Sequence, residues 1–193
     1  MRRVVKVGGS LINRRDLTDA LPRWFENHSP AENLVLVGGG SIVNAIREID
    51  SIRPGESEST HWLCVDLLEF TFRLMASWFD WPRVLDAEQL AETVEVGFET
   101  ARPTLVSVRS FYGPDRDHDH CPLPSNWQTT TDAIAALLAL MVDADELVIL
   151  KSCDVDSSLS FEQLAAAGIV DEAFPSAAER VQRVRLEKLP VEC

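Results

Sequence analysis

VVKVGGS, residues 4–10, has the pattern of a buried strand with two irregularities: a lysine stands among the valines, and the run ends on two glycines. A strand inside a parallel sheet is covered on both faces and reads as a continuous apolar run. An isolated ammonium there needs several kcal/mol of compensation or gives up its proton. Lys6 therefore demands an anionic partner, unless the strand lies at a sheet edge and the side chain snorkels to water. LVLVGGGS, residues 34–41, repeats the design of apolar strand, glycines and serine.

Each of these runs leads into helical spacing. Leu17, Leu21, Trp24 and Phe25 mark one helix, and Ile42, Val43, Ile46 and Ile49 another. A β-α-β-α opening predicts an α/β fold with a parallel sheet. After a polar break at 54–60, residues 61–79 read as a long helix with apolar side chains around most of its circumference. That pattern suits either a dimer interface or a helix deep in its own domain. Further on, the pattern predicts strands at 83–85 and 104–111, with a helix at 87–94 between them. The proline-rich 112–126 reads as a loop. TTTDAIAALLALMVDA (129–144) is a strong helix with hydroxyl caps, ELVILK (146–151) a strand, 160–167 a helix, and 180–189 holds a last edge strand. No linker divides the chain, so 1–193 reads as a single domain, able to bury roughly 70% of its unfolded surface.

Composition narrows the function. Hydrophobic residues make up 46% and charged residues 25%, which fits a globular protein and argues against disorder. No apolar run approaches the ~18 to 20 residues of a membrane span, and the N-terminus lacks a signal-peptide core, so a cytoplasmic protein is expected. Cys64, Cys121, Cys153 and Cys193 show no CxxC spacing and suggest no disulfide framework. A net charge of -13 repels nucleic acid. The partner expected is a small anionic metabolite met by a local cluster of cations, with neither nucleic acid nor membrane involved.

The glycines locate that cluster. Gly8 and Gly9, and then Gly38, Gly39 and Gly40, let the backbone approach a ligand closely at points where helix N-termini offer free N–H groups. Two such loops on successive parallel strands face one crevice at the carboxyl ends of the sheet. Side by side, they suit a phosphate donor and an acceptor. Neither the GxxxxGK[ST] nor the GxGxxG fingerprint fits. Asp132 stands in the first turn of its helix, either as a complement to the helix dipole or as a functional acid. Lys151, at the end of its strand, raises the same question as Lys6. Arg14, Arg15 and Arg47 follow the glycine loops, as extra cations for the acceptor or as solvated helix residues. In DRDHDHC, Asp117, His118, Asp119, His120 and Cys121 match no standard zinc spacing, so no protein-ligated metal is expected. The same loop could instead serve as a lid over the acceptor.

VVKVGGSLI, LVLVGGGSIV and SNWQTTTDAIAALLALMVDADELVILKSCDVD, in that order, resemble the amino acid kinase superfamily, which includes acetylglutamate, aspartate, carbamate and uridylate kinases. These segments cover about 50 residues, and the middle of the chain matches nothing recognised. The short length and the SxW ahead of the TD helix are most similar to the small branch containing the aminomethylfuran phosphate kinase of methanofuran biosynthesis. The resemblance implies a three-layer α/β/α sandwich with a mainly parallel sheet. It implies ATP with Mg²⁺ over the carboxyl ends of the strands, and transfer of the γ-phosphoryl group to a carboxylate or phosphate, for instance an aminomethylfuran phosphate giving a diphosphate. Lys6, Asp132 and Lys151 would be catalytic. Gly8, Gly9, Ser10, Lys151 and Asp154 would hold the nucleotide, and Gly38, Gly39, Gly40 and Thr131 the acceptor. A homodimer or higher homo-oligomer is expected. Two departures from the family pattern stand out. Ser157 replaces the glycine of the nucleotide loop, and residues 154–179 contain no lysine or arginine, leaving Lys151 to substitute for a distal lysine. The alternative is a non-catalytic sensor or subunit that binds a nucleotide or phosphometabolite.

Overall fold

The computed structural model describes residues 1–116 and 121–191. Six strands form one sheet: β1 (Arg2–Val7), β2 (Glu32–Val37), β3 (Arg83–Val84), β4 (Thr104–Val106), β5 (Glu146–Lys151) and β6 (Val184–Lys188). Their order is β3-β4-β2-β1-β5-β6, and every pairing is parallel. The strand carrying Lys6 is central, flanked by β2 and β5, so the edge-strand explanation of that lysine is excluded. β6 is an edge, as its sequence suggests.

Among the described residues, seven α-helices connect the strands: α1 (Leu17–Glu26), α2 (Gly40–Ile52), α3 (Ser57–Trp78), α4 (Ala87–Val96), α5 (Thr131–Met141), α6 (Phe161–Ala166) and α7 (Phe174–Ala178). Side chains alternate across a strand, so β1 divides its valines between two cores. Val5 and Val7 pack with Leu17, Leu21 and Trp24 of α1. On the other face, Val4 joins Ile134, Leu137 and Leu138 of α5 and Phe174 of α7. The result is the expected three-layer α/β/α sandwich. Lys6 shares the face of Val4, the one covered by α5. Among the described residues, no helix is long and apolar enough to cross a membrane.

The structure departs from the sequence pattern in several places. The long helix begins four residues earlier than its apolar run, because the Glu56 carboxylate caps it by accepting from the backbone N–H of Glu58 and Ser59. One face of α3 buries Val65, Leu68, Phe72 and Met75, while Leu63 and Phe70 stay 61% exposed. α2 buries no residue, although Ile42, Ile49 and Ile52 lie along it. The strand expected at 104–111 leaves the sheet after Val106 and winds into a 3-10 turn at Val108–Ser110. There the Ser110 hydroxyl donates to the Ser107 carbonyl, the kind of local bond that competes with a ladder. α7 follows Asp171 and Glu172 with no apolar period to announce it.

At the amino end of the sheet, away from the glycine loops, Glu146 is buried among arginines. It accepts from Arg3 Nε at 2.6 Å and Arg185 Nε at 2.8 Å, and Arg3 also donates to Asn33. Burial pushes the Glu146 pKa up, but the arginines more than offset it and hold it below its ordinary 4.5. The stabilisation this gives is present above pH 4.5 and is lost as pH falls through the lower folded value. Glu146→Ala leaves the Arg3 guanidinium buried and unpaired, and is expected to cost about 3 to 5 kcal/mol in urea unfolding at pH 7. The gap from the unsubstituted protein narrows when unfolding is repeated near pH 3.

Candidate functional site

The anion that Lys6 demands is Asp132. Lys6 Nζ donates to Asp132 Oδ1 at 2.7 Å, and Lys151 Nζ donates to Oδ2, also at 2.7 Å. The two lysines come from adjacent strands, with Lys6 opposite Ile149 and Lys151 two residues further along β5. Lys6 and Asp132 are buried and Lys151 is partly so, with side chains 6%, 5% and 12% exposed. Burial raises the pKa of Asp132, yet Lys6 and then Lys151 outweigh it and keep the carboxylate ionised well below the usual range. Desolvation and the nearby Lys6 lower the pKa of Lys151, with Asp132 opposing them. Two ammoniums thus share one carboxylate at the carboxyl end of the sheet, and the charge of Asp171 also acts on Lys151.

The helix carrying Asp132 is fixed from elsewhere in the chain. No threonine caps α5. Instead Asp171, in the loop between α6 and α7, accepts from Thr130 N, Thr130 Oγ1 and Ala133 N at 3.0, 2.7 and 3.0 Å. Its other oxygen is buried without a partner. Burial, and then the charge of Asp132, push the Asp171 pKa up to about 6. No local signal marks this residue in the sequence, because the helix it caps lies some 40 positions away.

The two glycine loops touch backbone to backbone. A Cβ on Gly9 would lie 2.1 Å from Gly40 N, and one on Gly40, whose φ is +56°, would lie 2.5 Å from Gly9 O. A Cβ on Gly38 would meet both Gly9 N and the Thr131 hydroxyl. Mutual packing of the loops therefore forbids side chains here, quite apart from any ligand. Gly8 N and Gly38 N extend the sheet by donating to Leu150 O and Val7 O. The first loop does not run straight into an α-helix: a 3-10 turn at Gly9–Asn13 intervenes and α1 starts only at Leu17. α2 does begin at the second loop, so its first-turn N–H groups lie at the crevice.

On the β5 side, Ser10 Oγ and Ser152 Oγ are 2.8 Å apart. Asp154 is bound by Lys188 Nζ, 3.1 Å from each carboxylate oxygen. Lys188 is the register partner of Lys151, so Lys6, Lys151 and Lys188 occupy the same face at the ends of three neighbouring strands. Lys188 lies beyond the cation-free stretch 154–179, and strand pairing brings it beside Lys151. Arg14 turns away: it pairs with Asp16 and donates to the carbonyls of Leu189 and Pro190. Arg15 is exposed. Arg47 lies over the ring of Trp127, 4.8 Å from its centroid, while Trp127 Nε1 donates to Asp50. Asp117, His118, Asp119 and His120 lie outside the described residues, and with them the metal and lid readings.

An open cavity of about 570 Å³ is walled by Lys151, Arg47 and Trp127 together with the acids Asp50, Asp132, Asp171 and Glu172. A larger one, about 760 Å³, lies between α6 and α7 with Glu162, Glu172 and Glu179 on its walls, and it touches neither lysine. Contact with Lys151, not size, distinguishes the first cavity.

No protein-family model matches this chain, and no curated protein matches it. Solved structures do. Uridylate kinase from Archaeoglobus fulgidus superposes with a TM-score of 0.62 at 18% identity, covering 98% of this chain and 90% of that one. UMP kinase from Ureaplasma parvum gives 0.61 at 12% identity with the same coverage. Aspartate kinase from Synechocystis gives 0.64 at 14% identity, over 97% of this chain and 38% of that one. The likeness establishes an amino acid kinase-like fold. None of these three is an aminomethylfuran phosphate kinase.

The raised pKa of Asp171 has a measurable consequence. Between its ordinary 3.8 and about 6, the folded chain holds a proton that the unfolded chain has released. That stabilisation is complete below pH 3.8 and is lost as pH rises through about 6. Asp171→Asn keeps a capping oxygen without the charge. It is expected to be more stable than the unsubstituted protein at pH 7.5, on the order of 2–3 kcal/mol, with the advantage vanishing below about pH 4 in parallel thermal melts.

Proposed function

We propose that this protein is an ATP-dependent phosphotransferase acting on a small anionic metabolite. The observation that carries the reading is the pair of buried lysines on one carboxylate, set where two glycine loops meet. In a chain of net charge -13, such a local cluster of lysines is what a polyphosphate requires.

The chemistry follows from what the cluster lacks. Both oxygens of Asp132 are held by lysines and its pKa is low, which makes it a poor general base. An acceptor oxygen that arrives already ionised, as a phosphate or carboxylate, needs no such base. It attacks the γ-phosphorus, the bond to the β-phosphate oxygen breaks, and ADP leaves with a diphosphate or acyl phosphate as the other product. Lys6 and Lys151 stabilise the charge on the transferring group, and positioning supplies most of the remaining acceleration. Asp132 orients both lysines. On the donor side, Gly9, Ser10, Lys151 and Lys188 line the approach, with Asp154 holding Lys188. On the acceptor side stand Gly39, Gly40, Thr131 and the start of α2.

Mg²⁺ fits as a companion of the nucleotide. Among the described residues, no group of three histidine, cysteine or acidic side chains forms a cage, so phosphate oxygens and water supply most of its ligands. When bound it neutralises donor charge. An aminomethylfuran phosphate is one acceptor within the class, supported by the sequence resemblance alone. A homodimer is part of the proposal, and its support is the exposed face of α3 with Leu63, Phe70, Leu74 and Trp78.

The test is ADP formation from Mg-ATP across a panel of phosphates and carboxylates. Lys6→Ala is expected to retain nucleotide binding by calorimetry and to lose about 100-fold or more in turnover. Lys188→Ala is expected to raise KM for ATP more than it lowers kcat. Tight ATP binding without ADP formation on any acceptor would favour the sensor reading.

A further inference from the structure

Asp171 stands on the wall of the cavity shared by Lys151 and Asp132, although it comes from a separate loop. Its segment is stitched to the approach of α5. Ala173 N donates to Gln128 O, Gln128 Nε2 donates to Glu172, and Thr130 gives Asp171 both its N–H and its hydroxyl. These two donors and Ala133 N all meet one oxygen, Oδ2, and all are uncharged. Oδ1 is buried and accepts nothing. A carboxylate so placed is anchored on one side and unsatisfied on the other, a state that costs most while it is ionised.

The surrounding charges come from several elements. Asp132 on α5 repels Asp171, and Lys151 on β5 feels its charge. Lys6 on β1 acts from beyond, bound to Oδ1 of Asp132. α2 presents Arg47 and Asp50 to the same cavity, and Glu172 follows in sequence. Burial, then Asp171, hold the Tyr112 hydroxyl un-ionised. Asp50 and Asp132 have lowered pKa values and keep their charge at neutral pH. Asp171, pushed up to about 6 by burial and then by Asp132, is the acid poised to give way.

On the reading that a polyphosphate occupies the lysine cluster, we propose that Asp171 is a positioning residue that binds a proton as the polyphosphate arrives. Before binding at pH 7, its charge holds the start of α5 and supports Lys151. Afterwards it is a neutral carboxyl that still accepts through Oδ2. The proton comes from solvent and goes to Oδ1, the oxygen left idle by the cap. A new anion in a cavity walled by four acids makes this the cheapest charge to remove. Linkage is reciprocal, so the affinity for the anion falls as pH rises through about 6.

The test uses the full chain with sulfate, a dianion that does not itself titrate in the range studied, and with Mg-ATP. Calorimetry in buffers of different ionisation enthalpy counts the protons taken up. A dianion about 8 Å from a carboxylate disfavours its charge about 5-fold even at the dielectric of water. Sulfate affinity is therefore expected to fall about 5-fold from roughly pH 5 to pH 8, with uptake of about 0.4 proton near pH 6.5. Asp171→Asn keeps a capping oxygen without a titratable group, and should abolish both effects. Asp50→Asn, an acid of the same cavity, should leave the uptake intact. A merely structural cap would alter stability in Asp171→Asn and leave proton uptake unmoved. Mg-ATP should show the same difference between the unsubstituted protein and Asp171→Asn. If that variant fails to fold, infrared difference spectra of the unsubstituted protein decide: the C=O stretch of a protonated carboxyl must appear on sulfate binding. Anion binding without proton uptake, or uptake that persists in Asp171→Asn and so belongs to Lys151, overturns the proposal and spares the phosphotransfer reading. Uptake on Mg-ATP binding with no ADP from any acceptor upholds the proposal and sinks the phosphotransfer reading. Binding of neither anion overturns both.

Discussion

One carboxylate between two ammoniums sets the terms for this molecule. Lys6 and Lys151 sit on neighbouring strands at the centre of a parallel sheet, where two like charges in a medium of low dielectric repel strongly. Asp132 reconciles them by giving one oxygen to each. The arrangement holds only if α5 is pinned in place. Its buried Ala and Leu residues pack it against the sheet, and Asp171 accepts from the N–H groups of Thr130 and Ala133 at its start. The placement of the two lysines is thus a product of the core, not of the surface.

The same economy of space shapes the glycine loops. Gly9 and Gly40 approach so closely that neither tolerates a side chain, which brings the ends of β1 and β2 together beneath a shared crevice. Around that crevice Lys188 and Asp154 extend the row of lysines toward β6, while Thr129, Val65 and their neighbours line a mostly apolar recess beside Gly39.

Much of the site could be read from the residues themselves. A lysine inside VVKVGGS contradicts its surroundings so plainly that an anionic partner is required, and Asp132 stands out as an acid in the first turn of its helix, with a catalytic role implied by the family resemblance. Lys151 followed by the same argument. Lys188 could not be read, because RVQRVRLEKL looks like any edge strand and only its register with β5 brings the side chain beside Lys151. Asp171 was invisible for a similar reason: a cap supplied from another loop leaves no spacing rule behind. The turn at Val108–Ser110 was hidden by an apolar run that continues past the point where Ser107 and Ser110 take the chain out of the sheet.

Local pattern, then, was sufficient for the class of fold, for the alternation of strands and helices, and for the buried cation that needed an answer, since periodicity and the expense of an unpaired charge are properties of short segments. Pairings between distant segments belonged to the tertiary structure: which carboxylate meets which lysine, which strand end carries the third cation, and where a mostly apolar recess opens. Those depend on strand order and on the closure of long loops, and no window of sequence contains both partners.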